Sequence, residues 1–192
     1  MAGVIITGAS RGIGRALAEG FAAAGHAVVL VARDAGGLAE AVRAVDRPER
    51  RLYPIAADVT AEAEVARLFK QLPDDIIPEV LVNNVGHMAE AASPAETSLD
   101  EWRRGMDGNL TAAFLCSREF ARLLRAAGRG GAIINTGSHA ARDANRFFPY
   151  GIWKNALETM TQQLAAEWFG AGITVNCVIP PFTDTPGTRT LG

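Results

Sequence analysis

The sequence predicts a doubly wound α/β fold: a parallel sheet of about six strands with helices on both faces. Three observations carry this. Short β-branched runs alternate with longer helical stretches along the whole chain, the pattern of parallel strands joined by right-handed crossover helices. The run Ala27-Val28-Val29-Leu30-Val31-Ala32 is apolar without alternation, as a strand buried on both faces requires. A glycine-rich turn, Thr7-Gly8-Ala9-Ser10-Arg11-Gly12-Ile13-Gly14, joins the first strand-like run to the first helical one.

The elements follow in order. Residues 4–7 read as the first strand and 13–24 as an amphipathic helix; 27–32 is the second strand, and 36–45 a helix that Pro48 helps to stop. Residues 51–56 form the third strand, 62–72 a helix and 80–83 a short fourth strand. Residues 99–127 read as one long helical region with Gly105 and Gly108 near its start, 132–135 as the fifth strand, 150–169 as a helix and 173–179 as the sixth strand. The longest irregular stretches are 87–98, 139–149 and the tail after Pro180. All three leave strands at the carboxyl end, where ligands bind in such sheets, so they are expected to line one cleft.

The 192 residues suit one domain spanning residues 1–192. A chain of this size buries roughly 70% of its unfolded surface and needs neither disulfide nor metal to hold a core. Hydrophobic residues are 48% and charged residues 21%, which excludes disorder, collagen and coiled coil. The net charge is −2 with both signs scattered, so no nucleic-acid partner is expected. Cys116 and Cys177 lie in apolar segments and read as reduced, buried small hydrophobes. Two cysteines and three scattered histidines do not make a metal site. No run approaches the ~20 apolar residues of a membrane span, and a strand begins at Val4, leaving no room for a signal peptide. A cytoplasmic protein with no membrane partner is the expectation.

The glycine-rich turn has the spacing G-x-x-x-G-x-G. Glycines there open backbone angles closed to other residues and let a phosphate approach the main chain. The following helix adds free N–H groups and the positive end of its dipole, so the turn predicts a dinucleotide site. An acid commonly ends the second strand in NAD sites to hold the ribose hydroxyls. Here Ala32 is followed by Arg33, with Asp34 next and Arg11 in the turn itself. Two guanidinium groups suit a 2′-phosphate, which favours NADP(H) over NAD(H).

Tyr150 and Lys154 stand four apart, one turn on one helix face. A nearby ammonium stabilises phenolate, so Tyr150 is expected to exchange its proton closer to neutral pH. Ser138, just beyond the fifth strand, reaches the same cleft.

With these residues together, the chain resembles a single-domain short-chain dehydrogenase/reductase. The matching pieces are Thr7 to Gly14, Asp58 in Ala-Ala-Asp-Val, Asn83-Asn84-Val85-Gly86, Asn109 in Gly-Asn-Leu, Ser138, Tyr150 with Lys154, and Val175-Asn176 before Pro180. They occur in the family's order over nearly the whole chain. The resemblance implies an NADP-dependent reductase in which Tyr150 protonates a carbonyl oxygen as hydride arrives, with Ser138 bonded to that oxygen. Lys154 would bind the nicotinamide ribose and lower the phenol's pKa, and Asn109 would distort its helix and hold a water feeding protons to Lys154. Cofactor contacts would come from Gly8, Ser10, Arg11, Gly12, Ile13, Gly14, Arg33, Asp58, Val59, Asn84, Gly86, Tyr150, Lys154, Pro180, Thr183 and Thr185. Among these, Asp58 would meet the adenine, Asn84 would support the sheet and ribose region, and Thr185 would touch the carboxamide. A homodimer or homotetramer and a small carbonyl or alcohol substrate, such as a 3-oxoacyl compound or a biosynthetic ketone, complete what the resemblance implies.

The chain departs from the family pattern in places. Pro180-Pro181 stands where Pro-Gly is usual, Thr136-Gly137-Ser138 replaces a Ser-Ser ending, and the interval to Tyr150 is about one residue short. Trp153 precedes Lys154 where a small Ser is commoner. Residues 180–192 stand in place of a substrate lid and seventh strand, so the sixth strand is expected to be an open edge. His87, Met88, His139, Phe147 and Phe148 are candidate substrate contacts, and Trp153, Leu157, Met160, Leu164 and Trp168 fall at helical spacing as core or subunit interface. Two rival readings remain: a non-catalytic nucleotide-binding relative or partner subunit, and an isomerase or dehydratase using the same cofactor.

Overall fold

The strands β1 (Gly3–Thr7), β2 (Ala27–Ala32), β3 (Leu52–Ala56), β4 (Pro78–Asn83), β5 (Gly131–Thr136) and β6 (Ile173–Val178) form one parallel sheet. Their order is β3-β2-β1-β4-β5-β6, the doubly wound arrangement expected from the sequence. This computed structural model describes residues 2–45, 51–88, 93–143, 148–186 and 189.

Burial follows from the period-two geometry of each strand. Val4, Ile6, Val28 and Leu30 point to one face and pack with Ala18 and Ala22 of α1 (Gly12–Ala23) and Leu38 and Ala41 of α2 (Ala35–Ala44). Ile5, Val29 and Val31 point to the other, against Val65 and Leu68 of α3 (Glu62–Lys70) and Phe120 and Leu124 of the helix after β4. Every residue of β1 and β2 is buried, as their unbroken apolar runs require. Pro54 is tolerated in β3 because that strand lies at the sheet edge. At the opposite edge, no strand among the described residues pairs with the free side of β6.

The long helix expected over 99–127 is interrupted. It divides into α4 (Leu99–Met106), a π-helical turn at Asp107–Thr111, and α5 (Ala112–Ala126). Asn109 sits in the turn, and its Nδ2 donates to the Gly105 carbonyl at 2.9 Å. That carbonyl is thus served by a side chain where the main-chain ladder slips. Ser98 caps α4 by accepting from the Glu101 N–H at 3.1 Å. The last helix, α6 (Tyr150–Trp168), begins beside a short 3₁₀ turn at His139–Arg142 and leads into β6.

Strand order reverses between β1 and β4, so a crevice opens beyond their carboxyl ends. The glycine-rich turn, the loop after β4, the loop after β5 and the start of α6 meet there. Among the described residues no helix is long and apolar enough to cross a membrane.

Candidate active site

The turn after β1 is built for close approach. Gly8 and Gly12 have φ of +67° and +56°, a region costly for side-chain-bearing residues. A Cβ on Gly14 would lie 2.2 Å from the Gly8 carbonyl oxygen, so only glycine lets α1 start this close to the turn. Arg11, at the N-cap of α1, makes no side-chain cap, so the first N–H groups of the helix stay directed into the crevice. Asn84 braces the turn from β4: its Nδ2 donates to the Thr7 carbonyl at 3.2 Å and, more weakly, to that of Gly8 at 3.5 Å. The Thr7 hydroxyl accepts from the main-chain N–H of Asn84 and Val85 and donates to the Val82 carbonyl. A cradle that any Cβ would fill, at an uncapped helix start, fits a pyrophosphate.

The far end of the crevice carries charge. A cavity of about 230 Å³ is lined by Arg33, Ala56, Ala57, Asp58 and Glu64. The Arg33 side chain is 78% exposed and its guanidinium stands 3.9 Å from the Asp58 carboxylate, a loose pair. Burial pushes the Asp58 carboxyl up, but the hydroxyl and N–H of Thr60, with Arg33, outweigh it and hold the group below its usual value. The Asp58 N–H donates to Glu64 at 2.7 Å. The Val59 side chain packs in the core, so only its main chain can face a nucleotide. Ser10 and Ile13 are half-buried at the turn. On the other side, Pro180, Thr183, Asp184 and Thr185 form a cavity of about 440 Å³ with Gly12, Ile13, Ala16 and Leu17 of α1. The residues after β6 therefore fold over the turn, with Thr185 in contact range of a Cβ built at Gly12.

Ser138, Tyr150, Lys154 and Asn109 converge between β5 and α6. Tyr150 is half-buried and hydrogen-bonded with Ser138, whose Oγ also accepts from the Ala140 N–H at 3.2 Å. Lys154 is 3% exposed and its Nζ donates to the Thr136 carbonyl at 2.8 Å. A Cβ built on Gly86 would stand 3.2 Å from Asn109 Oδ1 and 3.6 Å from Lys154 Nζ, so the bare Gly86 lies beside both side chains.

Two expectations are corrected here. The lysine was expected to bring the Tyr150 phenol down, but burial pushes it above 10.0, and the Ser138 hydrogen bond offsets this only in part. Nζ is committed to the Thr136 carbonyl and stands 5.7 Å from the phenol ring centroid. Burial instead lowers Lys154 itself, to about 8, with Cys177 opposing. Cys177 is not the fully buried filler expected: it is half-buried beside Lys154 on β6, while Cys116 is buried and its thiol pushed up to about 12.

The candidate substrate residues divide. His87 lies at the cleft, its Nε2 2.8 Å from Glu101 Oε1. Its main chain is clamped by Asn109, which accepts from the His87 N–H at 3.3 Å and donates to its carbonyl at 2.7 Å. Glu101 also takes Arg104, and the two partners, His87 first, hold its carboxyl below the usual range. Phe148 joins an aromatic group with Trp102, 6.4 Å between centroids, and Trp102 with Trp153, 6.1 Å. Met88 is half-buried, His139 is exposed, and Phe147 lies outside the described residues.

The sequence reading gave no role to a buried polar chain behind the site. Asn83 Nδ2 donates to Asn135 Oδ1 at 2.9 Å and to Ser117 Oγ at 3.0 Å. Asn135 Nδ2 donates to Thr161 Oγ1 at 2.8 Å, and Thr161 to the Leu157 carbonyl at 2.7 Å. The chain ties α5, β4, β5 and α6 together directly below Ser138 and Lys154. The signal was present: an amide closing an apolar strand, as in Val82-Asn83 and Ile134-Asn135, is affordable only with partners.

Comparison with known proteins places this arrangement in context. The family model for short chain dehydrogenase matches residues 2–192. The chain is 37% identical over 190 residues to a galactitol 2-dehydrogenase of Rhizobium johnstonii, covering 95% of this chain and 72% of that protein. It is 34% identical over 191 residues to a 3beta-hydroxysteroid dehydrogenase of Mediterraneibacter gnavus, covering 97% of this chain and 67% of that protein. Among solved structures it superimposes, with a TM-score of 0.90 and 33% identity, on a candidate NAD(P)-dependent gluconate 5-dehydrogenase from Beutenbergia cavernae with NADP bound at low occupancy. That match covers 99% of this chain and 76% of the other.

Proposed function

Because the chain belongs to the short-chain dehydrogenase family, we propose that it is an NADP(H)-dependent reductase of ketones, run in reverse on secondary alcohols, with Tyr150 as the proton donor. The observation that carries this is the Tyr150 hydroxyl, hydrogen-bonded with Ser138, one helical turn from the buried ammonium of Lys154. The bound dinucleotide supplies the hydride. The phosphate-bearing end would be held by the main chain of Gly8 to Gly14 and by Arg33, and the ribose end by Lys154 and Asn84.

The chain's own residues do the rest. The Tyr150 phenol keeps its proton at neutral pH because burial disfavours its anion. It is therefore an acid in the reducing direction, giving its proton to the oxygen that gains negative charge. Ser138 offers that oxygen a second hydrogen bond. Asn109 fixes the loop at His87 that walls the cleft.

The choice of NADP(H) rests on Arg33, whose exposed guanidinium stands over the cavity at the end of β2. The two relatives are named for a sugar alcohol and a steroid, and the secondary alcohol they share is the feature carried over. A 3-oxoacyl compound or a biosynthetic ketone is the working substrate class. The same reading takes the protein as a homodimer or homotetramer, supported by Phe114 and Ile152, which leave apolar surface exposed on α5 and α6. The test is NADPH oxidation against a panel of ketones, with NADH beside it. Turnover that disappears in Tyr150→Phe is expected; turnover that survives the substitution contradicts the assignment.

A further inference from the structure

Trp153 stands one residue before Lys154 and is fully buried, with an Nε1–H that meets no acceptor among the described residues. Its six-membered ring lies on the bare Cα of Gly105 in α4: a Cβ there would be 1.9 Å from Cη2, 2.0 Å from Cζ2 and 2.2 Å from Cζ3. No flexible tip could move aside, because the ring is wedged between Trp102, 6.1 Å away by centroid, and His87, 6.2 Å away. Gly105 is also the residue whose carbonyl Asn109 takes at 2.9 Å. A large ring on α6 thus fits a notch in α4, at the point where the π-helical turn is pinned.

We propose that Trp153 is a positioning residue: its ring, seated in the Gly105 notch, locks α6 to the π-helical turn and so fixes Lys154 against Asn109. This rests on the reading of Lys154 and Asn109 as active-site residues. A wedge between two rigid helices sets their spacing in a way that loose packing does not, and displacement of about 1 Å at a reacting centre costs up to roughly a hundredfold in rate. The missing partner of Nε1–H fits this role, since packing and not hydrogen bonding holds the ring. Lys154 itself is almost closed to water and faces Tyr150 on its own helix and Cys177 on β6.

The test uses Trp153→Phe, which withdraws the outer ring atoms, Gly105→Ala, which drives a methyl into them, and the double variant, in which the methyl enters the vacated space. Each single change is expected to lower kcat about tenfold or more with the KM for NADPH within about twofold, and the double variant to recover most of the loss. A second readout does not need turnover. Lys70 and Lys154 are the two lysines of the chain, so 13C-labelled lysine gives two NMR signals, and the Lys154 one is followed against pH. Lys154 is expected to titrate near 8, to rise by about one pH unit in either single variant, and to return in the double one. Single variants that melt earlier but keep the wild-type kcat and Lys154 titration would overturn the proposal and leave Trp153 as packing alone. If wild type reduces no ketone, the functional reading fails, and the lysine titration still decides the positioning role. If Gly105→Ala does not fold, Trp153→Phe and the double variant carry the same comparison.

Discussion

The Lys154 ammonium donates to the Thr136 carbonyl across 2.8 Å, joining α6 to the end of β5 at a point almost closed to water. Burial lowers the lysine from 10.5 to about 8. Between those two values the unfolded chain binds more protons than the folded one, so stability rises with pH. Below about pH 8 the full cost of the buried cation is present, on the order of 3 kcal/mol. Lys154→Met is therefore expected to be more stable than wild type at pH 7, with the difference shrinking toward pH 10. Urea unfolding of both proteins at the two pH values measures this, and a constant difference would show that Lys154 does not titrate in that window.

Tyr150→Phe keeps the ring and removes the proton. Loss of a positioned acid is expected to lower kcat by roughly 10² to 10⁴ while NADPH binding stays within about twofold. Because burial raises the phenol, wild-type ketone reduction is expected to hold from pH 6 to about 8, where Lys154 begins to lose its charge, and alcohol oxidation to climb across the same range. Initial rates in both directions check the two profiles. An oxidation rate that levels off near pH 7 would mean the phenol is lowered instead.

Arg33→Ala removes the cation at the end of β2 and frees Asp58 from its loose partner. NADPH affinity is expected to fall about tenfold or more, and NADH affinity to change little. Fluorescence titration with both nucleotides decides it. Equal losses would refute a 2′-phosphate contact.

Asn135→Ala cuts the polar chain in its middle, taking one of their partners from Asn83 and Thr161 in a site closed to water. The expected cost is about 2 kcal/mol, a fall in Tm of roughly 4–8 °C. A melting curve measures it, and an unchanged Tm would mean the chain adds nothing to stability.

Much of this was legible in the residues. The unbroken apolar run 27–32 announced a strand buried on both faces, and the glycine spacing announced a turn that Gly8 and Gly14 confirm in their geometry. What was not legible depends on contacts between distant elements. One helix was expected over 99–127 because its composition is helical throughout, and the slip at Asn109 requires the Gly105 carbonyl and the His87 main chain in place. The direction of the Tyr150 shift turned on where Nζ points, and four-residue spacing does not encode that. Trp153 read as core, and it is; its fit to Gly105 needs the crossing of α4 and α6, which no local pattern contains.

The reaction proposed for this chain is hydride delivery to a carbonyl carbon with Tyr150 as acid. The direct measurement is reduction of an accepted ketone with NADPH dideuterated at the nicotinamide C4, followed by mass and NMR analysis of the alcohol. One deuterium on the carbinol carbon, from wild type and not from Tyr150→Phe, is the expected result. Alcohol formed without deuterium, or equal deuterium from both proteins, would contradict it.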